Sequence, residues 1–243
     1  MIKYNPKFLK IVDDLSDVCK KSEGNHPIRF NKNEEGVNIK LRNGSDTILL
    51  LINASSDDFD FPGDSICFYD YQDFYKYFSK FGSPEINLKE FKDTEVLEIV
   101  EGGSKINYAV SDPEVIGKEN AKTILIPEED TSFNFSIADV KKLKDMISLF
   151  KDDRMLVTAE FSGKTVTFKL VSEFIANTYE QTIELESEVD ENFEFKFRQD
   201  VIKYLPNASF KVSVSNEAGT LIFNYNIDNI RVNIFLGSDE EDE

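Results

Sequence analysis

A helical pattern with lysines on its outer side, followed by about three short alternating segments, recurs four times in this chain of 243 residues. The helical patterns run Lys7 to Lys21, Tyr71 to Phe81, Ile137 to Lys151 and Arg198 to Leu205, spaced by roughly sixty residues. Helices two and four align: Gln72-Asp73-Phe74-Tyr75-Lys76-Tyr77 lies over Gln199-Asp200-Val201-Ile202-Lys203-Tyr204, with four of six residues identical. Helices one and three align as well. Phe8, Ile11, Leu15 and Val18 fall over Val140, Leu143, Ile147 and Phe150, with Lys10 over Lys142 and Asp13 over Asp145.

The chain therefore reads as a duplicated duplicate of the α+β class, with two domains that each set two helices on one side of antiparallel sheets. The first domain is expected over residues 1–110 and the second over 123–237. Between them, residues 111–122 (Ser-Asp-Pro-Glu-Val-Ile-Gly-Lys-Glu-Asn-Ala-Lys) keep neither a helical nor a strand period and read as a connector. Asn43-Gly44, Gly102-Gly103 and Ser162-Gly163 mark hairpin turns. Asp70 is placed to cap helix two, and Gly82 to end it.

Net charge is -18, from 28 Lys and Arg against 46 Asp and Glu. Taken as an average, this disfavours a polyanionic partner. The distribution is uneven, however: the four helical patterns carry twelve basic and seven acidic residues, and the remainder sixteen and thirty-nine. Basic helices on an acidic body suit a protein that meets a phosphate backbone on one surface only. No apolar run approaches the roughly twenty residues that span a bilayer. Met1 to Val18 carries Asp13, Asp14 and Asp17 and lacks the apolar stretch of a signal peptide, so a cytoplasmic location is expected. Cys19 and Cys67 then read as reduced core residues. The acidic segment 238–243 is expected to be a disordered tail.

Catalysis has little support. His26 is the one histidine and stands in a loop pattern. There is no nucleophile elbow, no metal-spaced cysteine pair and no Walker-type loop. Glu101-Gly102-Gly103-Ser104-Lys105 joins two strands and reads as a turn. Asp57, Asp58 and Asp60 could ligate a divalent cation or form a solvated acidic loop; no metal or cofactor is expected.

In its ordered recurrence the chain resembles the sliding clamps of DNA replication, most closely the T-even phage type, to about Leu236. The resemblance is carried by a helix at the amino end without a preceding strand and by Cys67-Phe68-Tyr69-Asp70 before an aromatic-rich helix. It continues in Ile106-Asn107-Tyr108 running into an Asp-Pro connector, and in Phe135-Ser136-Ile137-Ala138-Asp139-Val140 opening helix three. The resemblance implies the DNA clamp (processivity) fold, six such domains closing as a homotrimeric ring around double-stranded DNA, and a non-enzymatic tether for a DNA polymerase, loaded by a clamp-loader ATPase. In the T-even type it also implies a part in late transcription. Lys10, Lys20, Lys21, Lys76, Lys80, Lys141, Lys142, Lys144 and Lys203 would line the pore, and Val115, Ile116, Phe235 and Leu236 a partner-peptide pocket. Two other readings stay open: an acidic β-rich interaction or DNA-mimic protein without a ring, and a hydrolase using the Asp57 cluster.

Overall fold

The computed structural model describes residues 1–16, 19, 27–42, 48–92, 94–112, 126–150, 155–171 and 177–238. The chain forms two compact units. The first comprises Met1–Leu41, Leu50–Thr123 and Asn226–Val232, and the second Arg42–Leu49, Ile124–Tyr225 and Asn233–Glu243.

The first repeat consists of β1 (Lys3–Tyr4), α1 (Pro6–Ser16), β2 (Ile28–Asn33), β3 (Gly36–Arg42) and β4 (Ile48–Ser55); a two-residue strand, β5 (Phe59–Asp60), follows it. The second consists of β6 (Ser65–Phe68), α2 (Tyr71–Phe78), β7 (Glu85–Phe91), β8 (Thr94–Glu101) and β9 (Ser104–Ala109). The third consists of β10 (Thr131–Phe135), α3 (Ile137–Phe150), β11 (Leu156–Ser162), β12 (Thr165–Val171) and β13 (Thr178–Glu184). The fourth consists of β14 (Phe193–Arg198), α4 (Gln199–Tyr204), β15 (Phe210–Ser215), β16 (Thr220–Ile227) and β17 (Ile230–Gly237). Each repeat is thus βαβββ.

The repeats exchange strands in pairs. β6 from the second repeat adds to β2-β3-β4 of the first, and β14 of the fourth adds to β11-β12-β13 of the third. In return, β10 of the third repeat pairs antiparallel with β15 of the fourth, Thr131 opposite Val214 through Phe135 opposite Phe210. In the first unit the corresponding contact is a single bridge beside β1, where the Ile2 amide donates to the Ile86 carbonyl at 2.7 Å. An exchange of this kind makes each repeat incomplete without its neighbour.

Strict alternation builds the sheet faces. β11 and β12 bury Val157, Ala159, Phe161 and Val166, Phe168, Leu170, and a turn with Gly163 at φ 55° joins them. Aromatic clusters fill both cores. In the first, Phe68 lies 4.6 Å from Phe74 and 5.2 Å from Phe30 between ring centroids, and in the second Phe135 stacks on Phe168 at 5.2 Å. Gly36 is forced by close approach: at φ 140°, a Cβ there would stand 2.1 Å from the Ala54 carbonyl oxygen.

Several expectations need correcting. A strand, β1, does precede the first helix, because Lys3–Tyr4 finds a partner in Phe59–Asp60, far away in sequence. The Asp57–Asp60 stretch is therefore tied down by main-chain pairing as well as by its side chains. Helix two ends at Phe78 with Ser79 as its C-cap, and Gly82 lies beyond it, where its amide donates to the Glu101 carboxylate at 2.9 Å. β10 is a strand that the sequence pattern does not announce. Asp70 does cap α2, accepting from the Asp73 amide at 3.0 Å, and Gly102-Gly103 does form the β8–β9 turn, with both φ positive. Asn43-Gly44, His26 and nearly all of the connector and the tail (113–125 and 239–243) lie outside the described residues.

Candidate nucleic-acid interface

In the first unit, α1 buries Phe8, Leu9, Ile11, Val12 and Leu15 and turns Lys7, Lys10 and Asp14 outward. α2 buries Tyr71, Phe74 and Phe78 and exposes Lys76, while Lys80 is exposed in the turn beyond it. The two helices are fastened by the Tyr71 hydroxyl, which donates to the Leu9 carbonyl at 2.9 Å within the core. The exposed cations are not equivalent. Lys10 donates to Asp14 at 2.8 Å, a contact one helical turn away that raises the lysine pKa, and Lys7 reaches Asp228 at 3.2 Å. Among the described residues, Lys76 and Lys80 have no carboxylate partner.

In the second unit, α3 buries Val140, Leu143, Ile147 and Phe150 and exposes Lys141, Lys142 and Asp145. Its start is capped by Ser136 and Asp139: the Ser136 hydroxyl and amide donate to Asp139, and the Asp139 amide donates back to Ser136 Oγ at 3.2 Å. Asp139 also accepts from Gln181 Nε2 at 2.9 Å, and the Gln181 amide oxygen accepts from the Tyr179 hydroxyl at 3.1 Å. That Tyr179 ring lies 6.0 Å from the Lys142 ammonium. Lys141 is exposed with no carboxylate partner among the described residues. α4 buries Val201 and Ile202 and exposes Lys203.

The structure thus places six of the nine expected pore lysines on exposed surface: Lys10, Lys76, Lys80, Lys141, Lys142 and Lys203. Lys144 is different. It is half-buried, and its ammonium donates to the Leu205 carbonyl and, at 3.2 Å, to Asn207 Oδ1. Lys20, Lys21, Val115 and Ile116 lie outside the described residues. Phe235 and Leu236 sit in β17 at 7 % and 2 % exposure. Among the described residues, α1 to α4 hold seven lysines (Lys7, Lys10, Lys76, Lys141, Lys142, Lys144, Lys203) and six aspartates (Asp13, Asp14, Asp73, Asp139, Asp145, Asp200); Lys80 and Arg198 fall outside the folded helices, and Lys20, Lys21, Lys151 and Asp17 lie outside the described residues. Sequence reasoning missed Tyr179 and Asn207, whose proximity to lysines depends on strand and loop packing.

The Asp57 cluster has another use. Asp57 pairs with Lys3 at 2.7 Å and Asp60 with Lys32 at 2.5 Å, while Asp58, 6 % exposed, accepts from Asn5 and Ser55 at 2.8 Å each. No group of side chains among the described residues is suited to hold a metal ion. No helix among the described residues is long and apolar enough to cross a membrane.

No protein-family model matches the chain, and no curated protein matches it by sequence. Solved structures do. A structure of PCNA from A. fulgidus with the C-terminal region of FEN-1 bound matches with a TM-score of 0.73 at 12 % identity, covering 100 % of this chain and 98 % of that one. Proliferating cellular nuclear antigen from Entamoeba histolytica matches at 0.70 and 16 % identity, over 97 % and 96 % of the two chains. The PCNA2–PCNA3 complex of Sulfolobus tokodaii matches at 0.68 and 12 % identity, over 99 % of each. Over its whole length, this chain has the duplicated α+β fold of the PCNA-type sliding clamps.

Proposed function

We propose that this chain is a sliding clamp: three copies close head to tail as a six-domain ring around duplex DNA and tether a replicative polymerase for processive synthesis. One observation supports this most. Four βαβββ repeats, matched in fold end to end by clamp chains, each bury one side of their helix and set at least one exposed lysine on the other. Lysines interleaved with aspartates attract phosphates weakly and read no bases, which permits sliding. Topology, not affinity, then retains the ring.

Ring closure has candidate surfaces. β9 and β13 are each the outermost strand of their sheet order. Tyr108 of β9 lies 6.3 Å between ring centroids from the exposed Tyr77. Strand β9 carries Lys105, and β13 carries Glu180 and Glu184. Pairing β9 of one copy with β13 of the next would satisfy both edges. The T-even phage type, a clamp-loader ATPase, late transcription, a host cytoplasm and a peptide pocket near Val115, Ile116, Phe235 and Leu236 complete the reading.

Light scattering and DNA retention test it together. A species near three times 27.9 kDa, retained on circular but not on linear DNA once a loader acts, is the expected result. A monomer that no DNA retains would instead fit an acidic interaction or DNA-mimic protein.

A further inference from the structure

We infer that Lys144 is a positioning residue: its ammonium serves as the C-terminal cap of α4 and thereby sets Lys203 on the exposed face, in place of contacting phosphate itself. This rests on the DNA-encircling reading for its functional part only.

α4 is a helix of only six residues, and such a short helix does not hold itself together. Its N-cap, Arg198, makes no capping side-chain hydrogen bond, and its C-cap, Leu205, leaves helical geometry at φ -52° and ψ 138°. A helix end leaves carbonyls without intrahelical partners, and a cation there meets both the orphan acceptors and the negative end of the dipole. Lys144 supplies that cation from α3: its ammonium donates to the Leu205 carbonyl and to Asn207 Oδ1 at 3.2 Å. Together the two acceptors clamp the segment that follows α4. Partial burial lowers the pKa of the ammonium, opposite to the shift of the exposed, aspartate-paired Lys10.

The internal repeat sharpens the point. In the alignment of α1 with α3, Lys144 falls on Val12, which is fully buried. It therefore occupies a packing position rather than a surface one. In the first unit the helices are fastened instead by Tyr71 donating to Leu9.

The test uses the full chain with K144M, K144Q, K144R, K203M and K141M, and the double variant K144M/K203M. Amide hydrogen exchange across residues 199–205 should rise in K144M and K144Q, stay unchanged in K141M, and return toward the parent in K144R, whose guanidinium keeps the donors. Affinity for a linear duplex is then followed against KCl, where removal of each phosphate-neutralising cation lowers the slope of log K against log salt by about 0.9. K144M and K203M should each lower the slope by the same amount, and the double variant by no more than either. Unchanged exchange in both K144M and K144Q overturns the inference. So does an additive double variant, which would make Lys144 a phosphate ligand in its own right. Raised exchange with no change of slope in K141M or K203M would support the cap while overturning the DNA reading.

Discussion

Reversing Lys141 and Lys142 to glutamate separates the roles of α3 in the fold and in the interface. Both side chains project from the face opposite Val140, Leu143, Ile147 and Phe150, so the substitution removes no core contact. The folding cost comes from three small sources. Loss of the Lys142 cation over the Tyr179 ring costs about 0.5–1 kcal/mol at an exposed site. The new glutamates face Asp145 one turn on, at about 0.2–0.5 kcal/mol per pair, and glutamate is nearly as good a helix former as lysine. The total of about 1–2 kcal/mol is small beside the 5–15 kcal/mol typical of a folded domain, so melting should fall by only a few degrees and the assembly should persist. On DNA the effect should be larger. Removing two phosphate-neutralising cations from each chain would lower the salt slope by about 1.8 per chain, or up to about 5.4 for a ring of three, and the added negative charge would repel the duplex. The assay pairs light scattering with loader-dependent retention on circular DNA across a KCl series. Unchanged retention and slope in a correctly assembled variant would remove α3 from the DNA face.

Other perturbations probe the fold. Y71F, measured by urea unfolding, should cost about 1 kcal/mol by deleting the buried hydroxyl donated to Leu9, and F68A about 3–5 kcal/mol by emptying the centre of the first aromatic cluster. G36A should cost about 3 kcal/mol or more, because its Cβ would overlap the Ala54 carbonyl and the backbone must move. Glu98, held by Lys105 and Lys89, Glu101, held by the Gly82 and Ser83 amides, and Glu186, held by Ser132 and Lys211, all have lowered pKa values. The unfolded chain then binds protons more readily, so this stabilisation is complete above the ordinary carboxylate range and is lost as pH falls through the folded values. Melting temperatures from pH 7 to 3 should fall less steeply in E101Q than in the parent. Burial pushes the Cys19 thiol up to about 12 and raises that of Cys67, so iodoacetamide at pH 8 should label neither until the chain is unfolded.

The sequence by itself determined what is local. The apolar spacing Phe8, Ile11, Leu15 and Val140, Leu143, Ile147 announced α1 and α3, because a helix closes its hydrogen bonds within its own segment and its buried stripe is written at a fixed period. Asp70 announced the start of α2, and Gly102-Gly103 a turn, for the same reason. The fourfold recurrence followed, and with it the duplicated fold. Tertiary structure alone decided what depends on distant partners. β1, only two residues long, exists because Phe59–Asp60 lies alongside it, and β10 is held along its whole length by β15, a partner roughly eighty residues away. The same holds for charge. In Val140-Lys141-Lys142-Leu143-Lys144 the helical period sets Lys144 beside the apolar stripe but does not say what each lysine meets; packing leaves Lys141 in solvent, lays Lys142 over a tyrosine and binds Lys144 to the end of another helix. A lysine's charge is fixed by its chemistry, but what the charge meets is fixed by which carbonyls, rings and carboxylates folding brings to it.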